Sequence, residues 1–294
     1  MKYIDDAQVQ KRMSSRVTKN NIVKQLFLAA TLFGLVFLAI LLIRVISQGA
    51  AWIDWDFLTG RLSTNADRAG IMGAILGTSW LMLIVIPVTI FIGVGTAIYL
   101  ELYAKQGKFQ SLVATNISNL AGVPSIVYGL LGLTIFVRAM DFGNAIIAGG
   151  LTLSLLVLPI VIVASQEALR AVPQHLSEAS YGMGATKWQT VKNIILPAAL
   201  PGILTGSILA LSRAIGETAP LTVLGIPALL IPFPGGIFDT FTALPMQIYY
   251  WTLDSSLVQE YAYLAAATII VLLVLLFLLN SIAIIIRNKF QQRY

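Results

Sequence analysis

An arginine and a glutamate four residues apart, Arg213 and Glu217, sit in the otherwise apolar run LSRAIGETAP, Leu211 to Pro220. A guanidinium offers a planar fork of N–H donors that fits phosphate or carboxylate bidentately, so the chemistry open to this pair is oxyanion binding. At 1.5 Å per residue from Pro201, Arg213 lies about 18 Å into its helix, near the middle of a bilayer, with Glu217 one turn on. A charge at that depth costs roughly 2.5–3.5 kcal/mol to insert, so such residues face a cavity or one another. Two readings follow. The pair is a bridge serving helix packing, or it marks a translocation pathway. On the second reading Glu217 holds Arg213 until an anion arrives, or helps reject a more highly charged one. Thr218 beside the pair and Ser125 in an earlier span complete that candidate pathway.

Other chemistries lack their residues. With no cysteine and a single histidine, the chain holds no disulfide or thiolate metal site, and metal catalysis has little to build on. A phosphate loop of the form G-x4-G-K-[S/T] is absent, because no lysine is followed by serine or threonine, so the chain cannot hold ATP by that mechanism. Gly77-Thr78-Ser79 has the look of a serine protease G-x-S site, but His175 is the sole histidine and falls on the other side of a membrane about 30 Å thick. A secondary transporter or channel is the stronger rival, since intramembrane charges also couple ions.

A second constellation is cytoplasmic in character. Pro173 to Pro197, PQHLSEASYGMGATKWQTVKNIILP, is a polar island between two apolar blocks. Pro173 suits the first turn of a helix, and Leu176, Ala179, Ser180 and Met183 then share a face until Gly184 ends it. Thr186 with Gln189 is a capping box, and Val191, Ile194 and Ile195 give a second helix an apolar face until Pro197 closes it. The expectation is an amphipathic hairpin; a helix lying flat on the bilayer is the plain alternative.

These residues need a membrane bundle to position them. Of 294 residues 57% are hydrophobic and 11% charged, against roughly 25% charged in soluble domains. Six spans are expected, at about 25–46, 71–99, 112–137, 146–165, 201–225 and 262–286, as helices rather than a barrel. Fourteen of the 19 Lys and Arg fall on one side, with both termini and the hairpin, four fall on the other, Arg44 among them at the outer end of the first span, and Arg213 alone is deep within a span. That bias places the 1–24 segment, the 173–197 loop and the 287–294 tail in the cytoplasm. The net charge of +6 therefore reports topology rather than nucleic acid binding. Pro87 predicts a kink in the second span. Asn119, Gly122, Pro124, Ser125 and Gly129 weaken the third, which should face protein or a wet cavity. Residues 225–261, rich in Pro and Gly, predict a packed extracytoplasmic loop, partly re-entrant, able to meet an external partner.

The hairpin's Glu178, Ala179, Gly184, Ile194, Leu196 and Pro197 match E-A-A-x3-G-x9-I-x-L-P, the EAA loop of ABC importer permeases; Ser180 alone departs, standing for alanine. With AGVPSIVYG (121–129), RAIGETAPL (213–221) and ALPMQIY (243–249), the chain resembles the A-type permease subunits of bacterial phosphate (Pst) ABC importers. The resemblance implies an all-α type I ABC importer permease (MetI-like) fold in the bacterial inner membrane, with 25–46 as the first helix and 71–286 as the core transmembrane domain. It implies that Glu178, Ala179, Ser180, Gly184, Ala185 and Thr186 couple to a dimer of separate ATP-binding subunits, which hold the ATP and Mg, this chain having no cofactor. A second, C-type permease would complete the channel, and an extracytoplasmic phosphate-binding protein would deliver the anion. A permease for another oxyanion is the alternative within this family.

Overall fold

The computed structural model describes residues 6–105, 107–227 and 233–289. Residues 1–5, Pro232 of the long loop and the tail from 290, with Arg293, lie outside the described residues. Among those described there is no strand, only an isolated bridge between Ala145 and Thr240. Among the described residues five helices are long and apolar enough to cross a membrane, six if a helix pair bent by 101° is counted as one span.

The first helix, α1 (Asp6–Gly49), is 44 residues long, so helix also occupies most of the 1–24 segment expected to precede the span. From Val17 to Ile43 its apolar side chains are exposed, and burial begins at Val45, near its end. There Gly49 is needed, since a Cβ would come within 2.6 Å of the Ala266 backbone in the last long helix. The short α2 (Trp55–Thr59) is capped by Asp54, whose carboxylate accepts from the Phe57 N–H at 2.7 Å. Next comes α3 (Met72–Ile98), which carries Pro87 and runs on into a π-helical turn, Tyr99–Tyr103.

The expected third span is broken. α4 (Lys108–Leu120) and α5 (Ser125–Gly132), with its π-helical extension Leu133–Ala139, meet at 101°. Pro124 disfavours helical backbone in the residue before it, and α4, 13 residues long, spans only about 20 Å. The bend is tied by Tyr128, buried, whose hydroxyl donates to the Leu120 carbonyl at 2.8 Å.

The central element is α6 (Ile146–Arg170): 67% of its apolar window is buried, against 0% for the first and last spans. Small residues allow its neighbours to approach. Gly93 of α3 faces Val161, and beyond the hairpin Gly202 and Gly206 face Ala168 and Ala164.

The hairpin helices are α7 (Gln174–Gly182) and α8 (Lys187–Thr190). α8 does not stop at Pro197 as expected. The chain passes through a π-helical turn, Val191–Ile195, into α9 (Leu196–Gly216), forming one helical run of 30 residues, Lys187–Gly216. Proline lacks an N–H and crowds the carbonyl four residues back; the wider π turn just before Pro197 relieves that conflict, so the helix continues.

The expected fifth span, 201–225, is interrupted too: α9 ends at Gly216, Glu217 is extended, and α10 (Ala219–Val223) follows. The described part of the 225–261 loop is packed as expected, and it contains α11 (Leu244–Asp254) with Leu244, Met246, Gln247 and Trp251 buried. Its carbonyls at Ile237 and Asp239 accept from the Ile147 and Ile146 N–H groups at 2.9 and 3.1 Å, satisfying first-turn donors of α6. The Leu244 N–H donates to the buried Thr78 hydroxyl at 2.9 Å, pinning the loop to α3. α12 (Glu260–Lys289) closes the bundle.

Candidate coupling hairpin and charged turn

The hairpin is rigid for local reasons. α7 ends in a Schellman motif: the Gly184 N–H donates to the Tyr181 carbonyl at 2.9 Å, and the Ala185 N–H to the Ser180 carbonyl at 3.2 Å. Gly184 has φ +81°, a conformation in which a Cβ is penalised. Two residues on, the capping box forms as the sequence predicts. The Gln189 side-chain oxygen accepts from the Thr186 N–H at 2.8 Å, and the Thr186 hydroxyl accepts from the Gln189 N–H at 3.4 Å.

Ser180 is buried, at 3% exposure, and its hydroxyl shares a hydrogen bond of 2.9 Å with the fully buried Thr190 hydroxyl. This bond ties the two limbs together, so the departure from alanine has a partner in α8. Glu178, Ala179, Gly184 and Thr186 are exposed or partly so, and Ala185 lies between them in the turn. Of the face expected to be packed, Leu176 is half-buried and Ser180 buried, whereas Met183 is 82% exposed. Met183, Tyr181 and Trp188 together give the hairpin an exposed apolar surface. Amphipathic spacing does not single out these three, because it finds a face without saying what covers it.

At the other end of the same helical run, Arg213 Nε donates to Glu217 Oε1 at 3.0 Å. Glu217 is largely shielded and Arg213 about half exposed, with side-chain exposures of 15% and 52%. Only Nε is engaged, so both terminal guanidinium nitrogens have no partner among the described residues. The level of Arg213 along the bundle is marked by a neighbouring contact. The adjacent Ser212 hydroxyl donates to Asn280 Oδ1 of α12 at 2.7 Å, seven residues or about 10 Å from Arg287 at the hairpin end of the bundle. Nothing in the sequence pairs Ser212 with Asn280; two isolated polar residues in apolar runs are the only sign.

Thr218 and Ser125 are both half-buried, Thr218 within the break between α9 and α10, and Ser125 at the start of α5. The two broken segments pack on each other: a Cβ on Gly129 would lie 2.9 Å from the Pro220 Cα. The four pathway candidates thus lie at two helix breaks whose following segments are packed together. Outside this region, burial raises the Tyr250 hydroxyl above its ordinary range, with the neighbouring Tyr249 adding to the effect. The neutral hydroxyl donates to the Ile226 carbonyl at 2.9 Å. The serine protease reading gains nothing: Ser79 donates to its own helix at Ile75, in the second turn of α3, while His175 is on the hairpin at the opposite end of the bundle.

A long helical run thus has a rigid hairpin at one end and a charged turn at the other, inside a bundle of five or six apolar helical segments long enough to cross a membrane. The chain belongs to the binding-protein-dependent transport system inner membrane component family, whose model matches residues 89–293. It is an ABC importer permease and a multi-pass inner-membrane protein. Its relatives include the probable ABC transporter permease protein YqgI of Bacillus subtilis, 36% identical over 66% of this chain and 68% of that one. The phosphate transport system permease protein PstA of Yersinia pestis is 31% identical over 95% of this chain and 94% of its own length. In fold, it is similar to a bacterial ABC transporter involved in the import of the acidic polysaccharide alginate, with a TM-score of 0.60 over 96% of this chain and 100% of that one, at 15% identity.

Proposed function

We propose that this chain is the A-type permease subunit of an importer that carries inorganic phosphate inward, driven by ATP hydrolysed on separate subunits that dock on the hairpin. The observation that carries this reading is the unbroken run Lys187–Gly216, which joins hairpin to charged turn. At 30 residues it is about 45 Å long, so a displacement at one end is delivered across the membrane rather than lost in a hinge. The hairpin end is then cytoplasmic, as the distribution of basic residues supports.

The magnitudes favour a pathway over a packing bridge. A half-exposed ion pair held through one N–H is of the class worth about 0–1 kcal/mol, whereas placing each charge at mid-membrane costs roughly 2.5–3.5 kcal/mol. Arg213 therefore needs water, an anion or a second permease at its open edge. Its two unpartnered nitrogens fit a tetrahedral oxyanion, and the phosphate permeases among its relatives make phosphate the anion of choice.

In the cycle, closure of two ATP-loaded subunits draws the hairpin and its counterpart on the second permease together, tips α9 and opens the cavity outward; hydrolysis reverses it. ATP and Mg belong to the partner, and an extracytoplasmic binding protein delivers the anion. Within the hairpin Ser180 fixes the fold, while Glu178, Ala179 and Gly184 lie on the docking side with Met183 and Trp188.

The test is uptake of labelled phosphate by the complete complex in proteoliposomes. Wild-type protein should import phosphate only with ATP and binding protein present. Arg213→Gln should assemble normally and lose uptake by about ten- to a hundredfold, the scale of a hydrogen bond to a charged group. Normal flux in that variant would return the pair to a packing role. Transport by the purified chain alone under an ion gradient would instead establish a secondary transporter.

A further inference from the structure

The hairpin is tied to the bundle through more than α9. The π-helical turn that ends α3, Tyr99–Tyr103, touches both flanks of the hairpin. On one flank Glu101 Oε1 accepts from Arg170 Nε at 2.8 Å, Arg170 being the last residue of α6 before the hairpin. On the other, the Lys187 ammonium at the start of α8 lies 4.8 Å from the centre of the Tyr103 ring. Two residues apart in a helix, side chains point to different sides, which lets one turn reach both limbs. Leu100, in the same turn, is buried and anchors it.

The Glu101 contact is half made. Its second oxygen, Oε2, is buried without a hydrogen-bond partner, and Arg170 spends one terminal nitrogen on Glu167 at 3.1 Å. A rotation of the guanidinium toward Oε2 would give a bidentate pair, so a second bonded arrangement is within reach. A cavity of about 400 Å³ lined by Glu101, Arg170, Gln174 and Ser177 leaves room for it. Contacts with two discrete arrangements are what a switching element requires.

We propose that Glu101 and Tyr103 are positioning residues for transport: Glu101 holds the end of α6 where the chain enters the hairpin, Tyr103 holds the start of α8 where it leaves, and together they carry the hairpin's displacement into α3, so that α3 and α6 move with α9. This rests on the reading that the hairpin receives ATP-driven motion.

The experiment measures phosphate imported per ATP hydrolysed by the complete reconstituted complex, together with assembly and ATPase rate. Glu101→Gln and Tyr103→Leu should assemble and hydrolyse ATP as wild type does while importing about tenfold less per ATP, within the span of ordinary coupling effects. Tyr103→Phe keeps the ring face and should retain wild-type coupling. The exchange Glu101→Arg with Arg170→Glu should recover most of the loss. Wild-type coupling in both single variants would overturn the proposal. Loss of assembly in both would overturn it as well, by making them packing residues. Failure of the underlying functional reading would show elsewhere, in unmodified complex that hydrolyses ATP without importing phosphate.

Discussion

Gly184 offers a graded test of how firmly the hairpin must be held. It sits at φ +81° at the end of α7, and a Cβ built there meets nothing within 4 Å. Substitution therefore acts through backbone conformation alone. Alanine in the left-handed region costs about 1–2 kcal/mol, which shifts the turn's equilibrium about five- to thirtyfold toward open forms. Asparagine visits that region more readily and should cost less. Proline cannot adopt it, since its ring fixes φ near −65°, and it also removes the N–H that donates to Tyr181. A lost hydrogen bond adds roughly 0.5–1.5 kcal/mol to the conformational cost. Phosphate uptake per ATP in proteoliposomes should thus fall in the order Gly, Asn, Ala, Pro, with protein insertion unchanged throughout. Equal coupling for Asn and Ala would refute the conformational argument. Undiminished coupling in Gly184→Pro would refute the docking role itself.

Two further predictions concern hydrogen bonds that hold the architecture. Ser180→Ala leaves the buried Thr190 hydroxyl alone and should destabilise the complex by about 1–3 kcal/mol, whereas Ser180→Ala with Thr190→Val should recover most of it. Thermal unfolding of the purified complex decides this, and equal melting temperatures for the single and double variants would contradict it. Tyr128→Phe removes the tie across the 101° bend, leaving the Leu120 carbonyl only the Val123 N–H at 3.0 Å. Losing about 1 kcal/mol there should speed amide exchange over residues 120–125 roughly fivefold, and unchanged exchange would show that Pro124 alone holds the bend.

The hairpin is legible in the sequence because its signals are local. A capping box, a glycine at a helix end and amphipathic spacing each depend on residues within one turn, and the Thr186–Gln189 box and the Gly184 turn form as they predict. Helix ends next to prolines are less legible. Pro197 reads as a stop, yet a π turn just before it carries the helix through, since the proline's missing N–H then falls where the bonding pattern has already changed. Pro124 and Glu217 do interrupt their spans, where freed backbone groups find partners such as Tyr128. The charged pair is legible as a pair, since four residues is one turn, but its open edge is not: that depends on which way α9 faces within the bundle. Contacts between distant elements leave no trace in a single sequence. Glu101 with Arg170, Ser212 with Asn280 and Ser180 with Thr190 are all set by packing of separate segments. The distribution of hydrophobic residues marks where the apolar segments lie far better than where their helices break.

The account turns on motion entering through the hairpin, and the absence of native cysteine makes that directly measurable. Met183→Cys, at a position 82% exposed, should be captured by a short bifunctional crosslinker, or by oxidant-driven disulfide formation with a cysteine introduced on an ATP-binding subunit, in the assembled complex, and its reactivity should change between nucleotide-free and ATP-trapped states. A Met183 cysteine that crosslinks to no ATP-binding subunit, and that reacts instead with a membrane-impermeant thiol reagent from outside intact cells, would contradict the account.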